Sequence, residues 1–528
     1  MLFKNRNLIY LAVLMLTAAL VITGCGNTGS PSAASGKSPE DGIFIIARST
    51  DAELIDPGFA WSEGDIDIVY HVFDGLVKFK NDELEVEPAL ATEWKVSDDG
   101  RTWTFKLREG VKFHDGTDFK AEAVVQSFKR ILDENNKHYG VVQGGFSYLE
   151  YLMVDVIDDV VATDDYSVDF KLNQVFAPFL TYMGYYSQYI ISPAALEQFG
   201  EKFPQNPVGT GPFVFEKWKK GEYVQLKTND NYWGEKPKID TLIFKVVPES
   251  STRLMELQSG QVDVIKALDP GQLAKVEENQ NLQLLSVPGA NLFYAAFNTT
   301  KAPFDNKKVR LALNHAIDVD KIVEVIYEGS GTRAINSLPP TVFAFDETAG
   351  PYEYNPEKAK KLLAEAGYPN GFETNLQTFI YARPYVAKPV QVAEVIKSNL
   401  EAVGVKVNII TNEWATHSDI MDNMKHDIGL SGWYDIPYPS NFLKTMALEG
   451  ANTGYEPEEL VNLAKAAWAT YDRAEQEEIY KEFQQKLYKA APLIPIAHNN
   501  YTAAVRSNVK GFELDVIGTV KAQKAYKE

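Results

Sequence analysis

The chain has 528 residues, more than one hydrophobic core usually serves, so two or three domains are expected. Its composition, with 45% hydrophobic and 12% aromatic residues, is that of a globular protein and excludes a chain that is disordered throughout. The formal charge of -20 at pH 7 repels phosphate backbones and therefore argues against a nucleic-acid partner.

The N-terminal segment is typical of a bacterial secretory signal. Lys4 and Arg6 precede an apolar run, and small residues stand between that run and Cys25, the only cysteine of the chain. A cysteine directly after a cleavage site resembles the lipobox of bacterial lipoproteins, in which the thiol is acylated. A transmembrane anchor would need about 20 apolar residues and would leave the cysteine unexplained. We therefore expect a signal peptide over 1–24, cleavage before Cys25, and a flexible tether over 25–40.

Apolar periodicity predicts alternating strands and helices along the remaining chain. The predicted elements are, in chain order, a strand over 43–47, a helix over 62–73, strands over 76–79 and 103–108, a helix over 120–132, a helix from 356, a helix through 392–403 and a strand over 405–410. Trp103 to Arg108 alternate apolar and polar residues, as a half-buried strand does. Asn355 is a suitable N-cap, Pro356 occupies the first helical position, and Gly367 follows the helix. Strands interleaved with helices indicate an α/β protein.

Several motifs in this order resemble a known family along the whole chain after the signal. They are Glu87-Pro-Ala-Leu-Ala-Thr-Glu-Trp94, Trp103-Thr-Phe-Lys-Leu-Arg-Glu-Gly-Val-Lys-Phe-His-Asp-Gly-Thr117, Pro207-Val-Gly-Thr-Gly-Pro-Phe213, Asn231-Tyr-Trp-Gly234, Ala302-Pro-Phe-Asp-Asn306, Val309-Arg-Leu-Ala-Leu313 and Tyr354-Asn-Pro-Glu-Lys-Ala-Lys-Lys-Leu-Leu363. The family is that of the extracellular solute-binding proteins of family 5, the peptide- and nickel-binding components of ABC importers.

The resemblance implies an α/β, periplasmic-binding-protein-like fold of class II, cluster C, with three lobes and a hinged ligand cleft. Domain I would combine 41–75, 191–297 and 496–528, while 76–190 would form domain II and 298–495 domain III. A chain that crosses between lobes several times makes a hinge, and such lobes close around a ligand.

The resemblance also implies a function. The protein would be the substrate-binding lipoprotein of an ABC importer, which captures di- or oligopeptides between its lobes and delivers them to a permease with ATPase subunits. We expect a monomer that is lipid-anchored at the outer face of the membrane and needs neither cofactor nor metal. A nickel-chelate or oligosaccharide receptor of the same fold stays open, because the motifs specify the family better than the ligand. Peptide length and side-chain preference do not follow from the sequence.

Two charged residues resemble the groups that hold the ends of a bound peptide. Arg383 resembles the arginine that takes the C-terminal carboxylate in dipeptide-binding members. It is followed by Pro384 and by Tyr385, which we also expect to contact the ligand. Asp435 resembles the aspartate that accepts from the N-terminal ammonium. The chain departs from the family pattern here, since its loop is one residue shorter and Tyr438 stands where a second aspartate is common. A solvated surface arginine and a structural turn aspartate stay open as alternatives.

Two short segments resemble further ligand contacts of the family. Asp51, Ala52 and Glu53 match the segment whose main chain pairs with the peptide like an added strand. Trp433 and Tyr434 would form pocket walls, because both side chains are large and rigid with a polar tip. An ordinary strand-to-turn edge at the first segment, and core packing for the two aromatic residues, stay open as alternatives.

The sequence offers little for catalysis or metal binding. It contains neither a His-Glu-x-x-His nor a Gly-x-Ser-x-Gly motif, which disfavours a secreted peptidase or glycosidase. His417 and His426 lie near Met421 and Met424, but nine residues separate the two histidines and no helical i, i+4 pair exists. We therefore expect a binding protein, with a secreted hydrolase as the alternative from another class.

The lipobox interpretation predicts the behaviour of a Cys25→Ser variant. Because acylation of the thiol precedes signal cleavage in such proteins, the variant is expected to accumulate as an unprocessed precursor. Metabolic labelling with a radioactive fatty acid, followed by electrophoresis, measures both the acylation and the size of the product. Normal labelling of the variant would contradict the interpretation.

Overall fold

The computed structural model describes residues 42–80, 85–142, 147–434, 436–447 and 452–528. The predicted signal peptide, the tether and Cys25 lie outside these ranges, and so does Asp435. Within the described ranges, no helix is both long enough and apolar enough to span a membrane.

The strands of the described residues occur along the whole chain. They are β1 (Ile43–Arg48), β2 (Val77–Phe79), β3 (Val86–Pro88), β4 (Ala91–Val96), β5 (Thr102–Leu107), β6 (Ile157–Asp164), β7 (Ser167–Leu172), β8 (Phe213–Lys219), β9 (Tyr223–Thr228), β10 (Thr241–Val246), β11 (Val264–Lys266), β12 (Leu282–Pro288), β13 (Asn291–Phe297), β14 (Gly331–Arg333), β15 (Glu373–Phe379), β16 (Lys406–Asn412), β17 (Ile428–Tyr434), β18 (Leu493–Arg506), β19 (Val509–Lys510), β20 (Glu513–Leu514), β21 (Val520–Lys521) and β22 (Tyr526–Lys527).

Helices separate many of these strands, which confirms the predicted α/β class. They are α1 (Glu63–Val72), α2 (Ala121–Leu132), α3 (Tyr148–Met153), α4 (Phe179–Met183), α5 (Pro193–Phe199), α6 (Ser250–Ser259), α7 (Leu273–Glu277), α8 (Lys307–Ala316), α9 (Val319–Ile322), α10 (Pro356–Glu365), α11 (Pro389–Glu401), α12 (Trp414–Asp422), α13 (Pro439–Ala447), α14 (Glu458–Ala469) and α15 (Arg473–Ala490). Short 3₁₀ turns lie at Tyr186–Gln188, Gly200–Gln205 and Pro270–Gln272, and a π-helical turn lies at Val323–Tyr327.

The local signals read from the sequence have the predicted structural roles. The Asn355 side chain accepts from the Lys358 N–H at the start of α10, and Pro356 is the first helical residue. Gly367, just after that helix, has a φ of 94°, a left-handed conformation that glycine adopts without strain. In β5, Trp103 and its apolar alternates are buried while the residues between them are half-buried or exposed, which confirms the period-two prediction.

One long strand, β18, connects two halves of the largest sheet. That sheet has twelve strands in the order β16-β15-β17-β13-β18-β11-β1-β10-β9-β8, and β12 and β14 also pair with β18. The first part of β18 pairs with β13, whereas its last part pairs with β11 and β12. The two residues between these parts, His498 and Asn499, therefore lie where the two halves of the sheet meet.

The apolar core consists of three clusters. The largest combines β1 and α1 with the four-stranded sheet β4-β5-β7-β6 and the helices α13, α14 and α15. A second cluster surrounds β13, β15 and β17 and includes α8 and α11. A third, smaller cluster joins α6 to β11. The helices near the C-terminus thus pack on the four-stranded sheet, where the Ala177 N–H donates to the Trp468 carbonyl at 2.7 Å.

A buried ion pair fixes the segment that follows β1 to α2. Arg130 donates with both terminal nitrogens to the Asp56 carboxylate, at 2.6 and 2.8 Å, and both side chains are almost fully buried. The Gly58 N–H also donates to Asp56 at 3.0 Å. A bidentate pair with an additional hydrogen bond of this kind compensates the charges for their removal from water.

His71 joins α1 to the C-terminal segment of the chain. Its Nδ1 lies 2.6 Å from the Asp67 carbonyl, which can only accept, so Nδ1 carries the proton. Its Nε2 accepts from the Ala522 N–H at 3.1 Å and therefore has no proton of its own. Burial is the main cause that lowers the pKa of His71 from 6.5 to about 4, and the charge of Lys266 adds to it.

This arrangement predicts a loss of stability in acid. Between pH 6.5 and 4 the His71 side chain binds a proton in the unfolded chain and not in the folded one, so the unfolding free energy falls as the pH falls. The full pKa difference corresponds to about 3 kcal/mol. His71→Gln, which keeps an acceptor and cannot titrate, is expected to lose less stability over this range. Urea unfolding at several pH values measures the difference between the two proteins.

The comparison of two proteins is needed because burial also shifts the pKa values of other groups, among them His114, His426 and His498, which it lowers from 6.5 to about 4. Burial raises the pKa values of Asp74 and Asp515, which therefore stabilise the fold as the pH falls. Parallel stability curves for the variant and the unmodified protein would contradict the role given to His71.

Candidate functional site

A cavity of about 340 Å³ lies beside the residues of β18 where the two halves of the sheet meet. It brings together four of the predicted site residues, Asp51, Glu53, Arg383 and Tyr434. The other lining residues used below are Trp61, Glu63, Lys266, Asp269, Ser330, Asn499 and Tyr501. Residues that are hundreds of positions apart in the chain thus form one cavity wall.

Arg383 presents an unpaired guanidinium group to this cavity. Its Cζ lies 3.8 Å from the centroid of the Trp414 ring, so the face of the guanidinium stacks on an aromatic surface. Among the residues that the structure describes, no carboxylate lies within ion-pair distance of Arg383, and its buried Nε has no hydrogen-bond partner. A guanidinium without a carboxylate partner can take a planar anion such as a carboxylate.

The backbone around Arg383 is fixed by hydrogen bonds from several elements. Arg383 and Val386 exchange two backbone hydrogen bonds, of 2.8 and 2.9 Å, which closes a tight loop. The Asn499 side chain in β18 donates to the Pro384 carbonyl at 2.8 Å. The Tyr327 hydroxyl donates to the carbonyl of the next residue, Tyr385, at 2.9 Å. These contacts hold the arginine at the cavity without using its side chain.

Tyr385 lies in the core beneath this loop and is 1% exposed. Its ring stacks on that of Phe293 with the centroids 5.8 Å apart. Gly432 in β17 lies against the same ring, and an added Cβ there would be 2.3 Å from it, so a glycine is required at that position. Burial raises the pKa of Tyr385, while the positive charge of Arg383 acts in the opposite direction. In this structure Tyr385 supports the loop from behind.

The segment of Asp51, Ala52 and Glu53 is held by carboxylates of the chain itself. The Asp65 carboxylate at the start of α1 accepts from the N–H groups of Glu53, at 2.6 Å, and Leu54, at 2.9 Å. The Ala52 N–H donates to the side chain of Asp51 at 2.8 Å, and Ala52 is 6% exposed. The N–H groups of Ala52, Glu53 and Leu54 thus have acceptors inside the protein.

Asp51 also connects this segment to the hairpin of β8 and β9. Its carboxylate accepts from Trp218 Nε1, at 3.1 and 3.2 Å to its two oxygens, and from the Gly221 N–H at 2.6 Å. The buried guanidinium of Arg48 lies 3.7 Å away. The negative charge of Asp51 is therefore stabilised by donors of the protein, whereas Glu53 is exposed at the cavity.

A buried lysine forms the floor of the cavity next to α1. Lys266 Nζ lies 2.8 Å from the Asp67 carboxylate and 3.0 Å from that of Glu63. These two acids favour its charged form, and the pKa of Lys266 is raised despite its burial, which acts to lower it. Lys266 is thus neutralised by the protein, which distinguishes it from Arg383.

The two predicted aromatic walls lie on opposite faces of β17. Because side chains alternate along a strand, Trp433 and Tyr434 cannot face the same cavity. Tyr434 lines the Arg383 cavity, and Trp433 lines another cavity, where its Nε1 donates to the Asn441 side chain at 2.7 Å. The structure therefore separates this predicted pair.

Sequence reasoning missed three residues that shape the cavity. Trp414 carries the face of the Arg383 guanidinium, Asn499 fixes its loop, and Tyr501 lines the wall on β18. The alternation of β18 predicts which of its residues share a face, but not that this face meets a loop more than 100 residues earlier in the chain. In the described part of the chain, no group of three or more His, Cys, Asp or Glu residues is arranged to hold a metal ion.

Comparison with known proteins identifies relatives along the whole described chain. The family model of the bacterial extracellular solute-binding proteins, family 5 Middle, matches residues 85–454. Heme-binding protein A of Haemophilus influenzae is 36% identical over 531 residues, 95% of this chain and 96% of that protein. The dipeptide-binding protein of Escherichia coli is 36% identical over 468 residues, 85% of this chain and 87% of its own.

A solved structure extends this similarity to the fold. It is the ABC transporter-associated periplasmic binding protein DppA from Helicobacter pylori in complex with peptide STSA, with a TM-score of 0.80 and 33% identity. The similarity covers 92% of this chain and 98% of that one. The predicted class II periplasmic-binding-protein-like fold is thereby confirmed.

The contacts of Asp65 predict what holds the first segment of the cavity wall. In an Asp65→Ala variant, the N–H groups of Glu53 and Leu54 lose their acceptor, and we expect roughly 1–3 kcal/mol lower unfolding free energy. Hydrogen exchange of these two amides should become faster, as measured by NMR or mass spectrometry. Asp269→Ala is the control, because it removes an exposed carboxylate from the same cavity. Unchanged exchange in the Asp65 variant would contradict this role.

Proposed function

Because this chain belongs to the bacterial extracellular solute-binding proteins of family 5, we propose that it captures short peptides as the substrate-binding component of an ABC importer. The observation that carries the proposal is the unpaired guanidinium of Arg383 at a cavity of about 340 Å³. A free peptide carboxylate is the planar anion that such a group takes with two parallel hydrogen bonds. Binding is expected to leave the peptide chemically unchanged.

The other end of the peptide needs an acceptor for its ammonium group. The family resemblance assigns this role to Asp435, which follows Tyr434 directly in the chain and lies outside the described residues. Tyr434 itself lines the Arg383 cavity. We propose that Arg383 and Asp435 together bind the two charged ends of a zwitterion.

Two relatives make peptides the favoured ligand, and one suggests haem. The Escherichia coli relative is named for dipeptides, the Helicobacter pylori structure holds the peptide STSA, and the Haemophilus influenzae relative is named for haem. Of the residue types that bind haem iron, the described lining of the Arg383 cavity offers only tyrosines, Tyr434 and Tyr501. A guanidinium can take a peptide carboxylate or a haem propionate, so the choice of a peptide over haem is supported by the residue types of this lining and not by Arg383.

The remaining parts of the proposal concern the envelope and the movement of the lobes. We propose that the chain is lipid-anchored through Cys25 at the outer face of the membrane and delivers its peptide to a permease. We also propose that the chain forms three lobes, with the boundaries expected from the motifs, and that ligand closes them. The crossing near 297 follows the last residue of β13, a strand of the large sheet, and the crossing near 191 precedes α5, so each falls at the end of an element, which supports a hinge there.

If Arg383 binds the C-terminal carboxylate of a peptide, its removal should lower the affinity for peptides that carry this carboxylate and not for peptides that lack it. Arg383→Ala is expected to weaken free-acid di- and tripeptides by about one to two orders of magnitude, because hydrogen bonds to charged groups contribute roughly 1.5–3 kcal/mol. The same peptides as C-terminal amides should bind weakly to both proteins, with little difference between them. Calorimetric titration of protein that was unfolded, freed of ligand and refolded measures these affinities.

A matched control shows whether the removal of any arginine that stacks on an aromatic ring lowers peptide affinity. Arg473 stacks on the Phe343 ring at 4.0 Å and is not part of the cavity lining, so Arg473→Ala should leave peptide affinity unchanged. If the Arg383 variant still preferred free acids to amides as strongly as the unmodified protein does, Arg383 would not bind the C-terminal carboxylate. Tight binding of hemin, seen in its absorption spectrum, without binding of any peptide would overturn the proposed function.

A further inference from the structure

A cavity of about 200 Å³ lies beside the end of α1 and the strands β2 and β3, and we call it the Asp74 cavity. The loop 514–518 separates it from the Arg383 cavity, because Leu514 and Gly518 line the Arg383 cavity whereas 515–517 line the Asp74 cavity. None of the described residues that were predicted to bind ligand lines the Asp74 cavity. It is therefore distinct from the proposed peptide site.

One carboxylate of the Asp74 cavity has no positive charge paired with it. The described lining contains four carboxylates and three lysines, and each lysine lies close to a different carboxylate other than Asp74. The pairs are Lys78 with Glu87 at 3.1 Å, Lys521 with Asp515 at 3.4 Å and Lys524 with Glu513 at 3.9 Å. Asp74 has no ion-pair partner among the described residues, so its charge is left without a counter-charge.

Three neutral donors hold the Asp74 carboxylate in place. It accepts from Trp233 Nε1 and from the Thr210 hydroxyl, both at 2.8 Å, and from the Tyr232 hydroxyl at 3.1 Å. Burial is the main cause that raises the pKa of Asp74, and these donors act in the opposite direction. Because a carboxylate has about four lone-pair sites, a fourth donor can bind, and a charged donor would supply the missing counter-charge.

Tyr189 offers an unused hydroxyl group to the same cavity. The residue is 7% exposed, and its hydroxyl has no hydrogen-bond partner among the described residues. This hydroxyl is not one of the fully covered polar atoms, so it faces the cavity that the residue lines. Burial raises the pKa of Tyr189, and the charges of Asp74 and Asp515 raise it further, which places the hydroxyl near both carboxylates. Folded proteins seldom leave such a group without a partner.

Aromatic rings form much of the remaining lining. The rings of Tyr70 and Tyr189 meet edge to face with their centroids 5.5 Å apart, and Phe79 and Tyr232 line the same cavity. An aromatic face attracts a cation, and the ring buries the carbon atoms attached to that cation. The volume of about 200 Å³ is below the roughly 300–1,000 Å³ of pockets for drug-sized ligands, so it suits a small molecule.

We propose that the Asp74 cavity binds a small organic cation whose ammonium group donates to the Asp74 carboxylate and to the Tyr189 hydroxyl. An ammonium group needs only acceptors, and these two are the ones that the protein leaves unused. A metal ion fits less well, because the described residues contain no group of three or more His, Cys, Asp or Glu arranged to hold one. The inference does not depend on the proposed peptide site, whose guanidinium calls for an anion.

The test uses three probes of similar size that differ in charge and in donors. Butylammonium, butan-1-ol and tetramethylammonium are titrated into the protein at pH 7, with calorimetry for affinity and the ¹³Cζ signal of Tyr189 for location. Tyr189→Phe assigns that signal. Butylammonium is expected to move it at least tenfold more readily than butan-1-ol, which has no charge, and than tetramethylammonium, which has no N–H group.

Two variants remove the proposed acceptors one at a time. Asp74→Asn is expected to weaken butylammonium by about ten- to a hundredfold, because a hydrogen bond to a charged group is lost. Tyr189→Phe should weaken it by about two- to tenfold, and this variant keeps the test valid if Asp74→Asn does not fold, since the hydroxyl has no partner to lose. Asp240→Asn, which removes an exposed carboxylate outside the cavity, is the matched control and should bind butylammonium normally.

Three results would overturn the proposal. One is equal affinity for butylammonium and one of the other two probes. Another is unchanged affinity of the Asp74 and Tyr189 variants, since an amine bound at Asp435 would behave in that way. The third is displacement of butylammonium by Ca²⁺ from the Asp74 cavity, which would indicate a metal site. None of these results bears on peptide binding, so the proposed function would stand or fall by its own test.

Discussion

The structure depends on one strand that belongs to two halves of a sheet. β18 pairs with β13 through its first residues and with β11 and β12 through its last, and Asn291 fixes the region between. The Asn291 side chain accepts from the Asn499 N–H and donates to the Asn499 carbonyl, both at 2.8 Å. Because Asn499 also holds the loop of Arg383, the same residue that joins the sheet halves positions the proposed ligand group.

Charge pairing distinguishes the residues that hold the fold from the one proposed to bind ligand. Arg130 is buried against Asp56, and Lys266 against Asp67, so the removal of these charges from water is compensated inside the protein. Arg383 has a stacking partner and, among the described residues, no carboxylate. Its contact with Trp414 and the hydrogen bonds of its backbone hold this cation in place. Because its charge has no carboxylate partner in the described chain, it is arranged to bind an anionic ligand.

The sequence predicts local structure well because caps and alternation depend on neighbouring residues. The N-cap at Asn355 and the alternation of β5 required no knowledge of the fold. The resemblance identified Arg383. It did not show that Tyr385 is buried in the core, because this burial depends on packing against Phe293 of β13. It also grouped Trp433 with Tyr434, although the alternation of β17 already separates them. Trp414 was missed because only the tertiary structure places it against the guanidinium.

An ion pair at the end of a peptide is independent of the side chains, so the proposed contact with Arg383 would supply affinity for many sequences. Its cost to the protein is an arginine without a carboxylate partner in the described chain. Trp414 and the hydrogen bonds to the Pro384 and Tyr385 carbonyls hold this arginine in place before any ligand arrives. A binding group that is already ordered loses less conformational entropy when it binds, which offsets part of that cost.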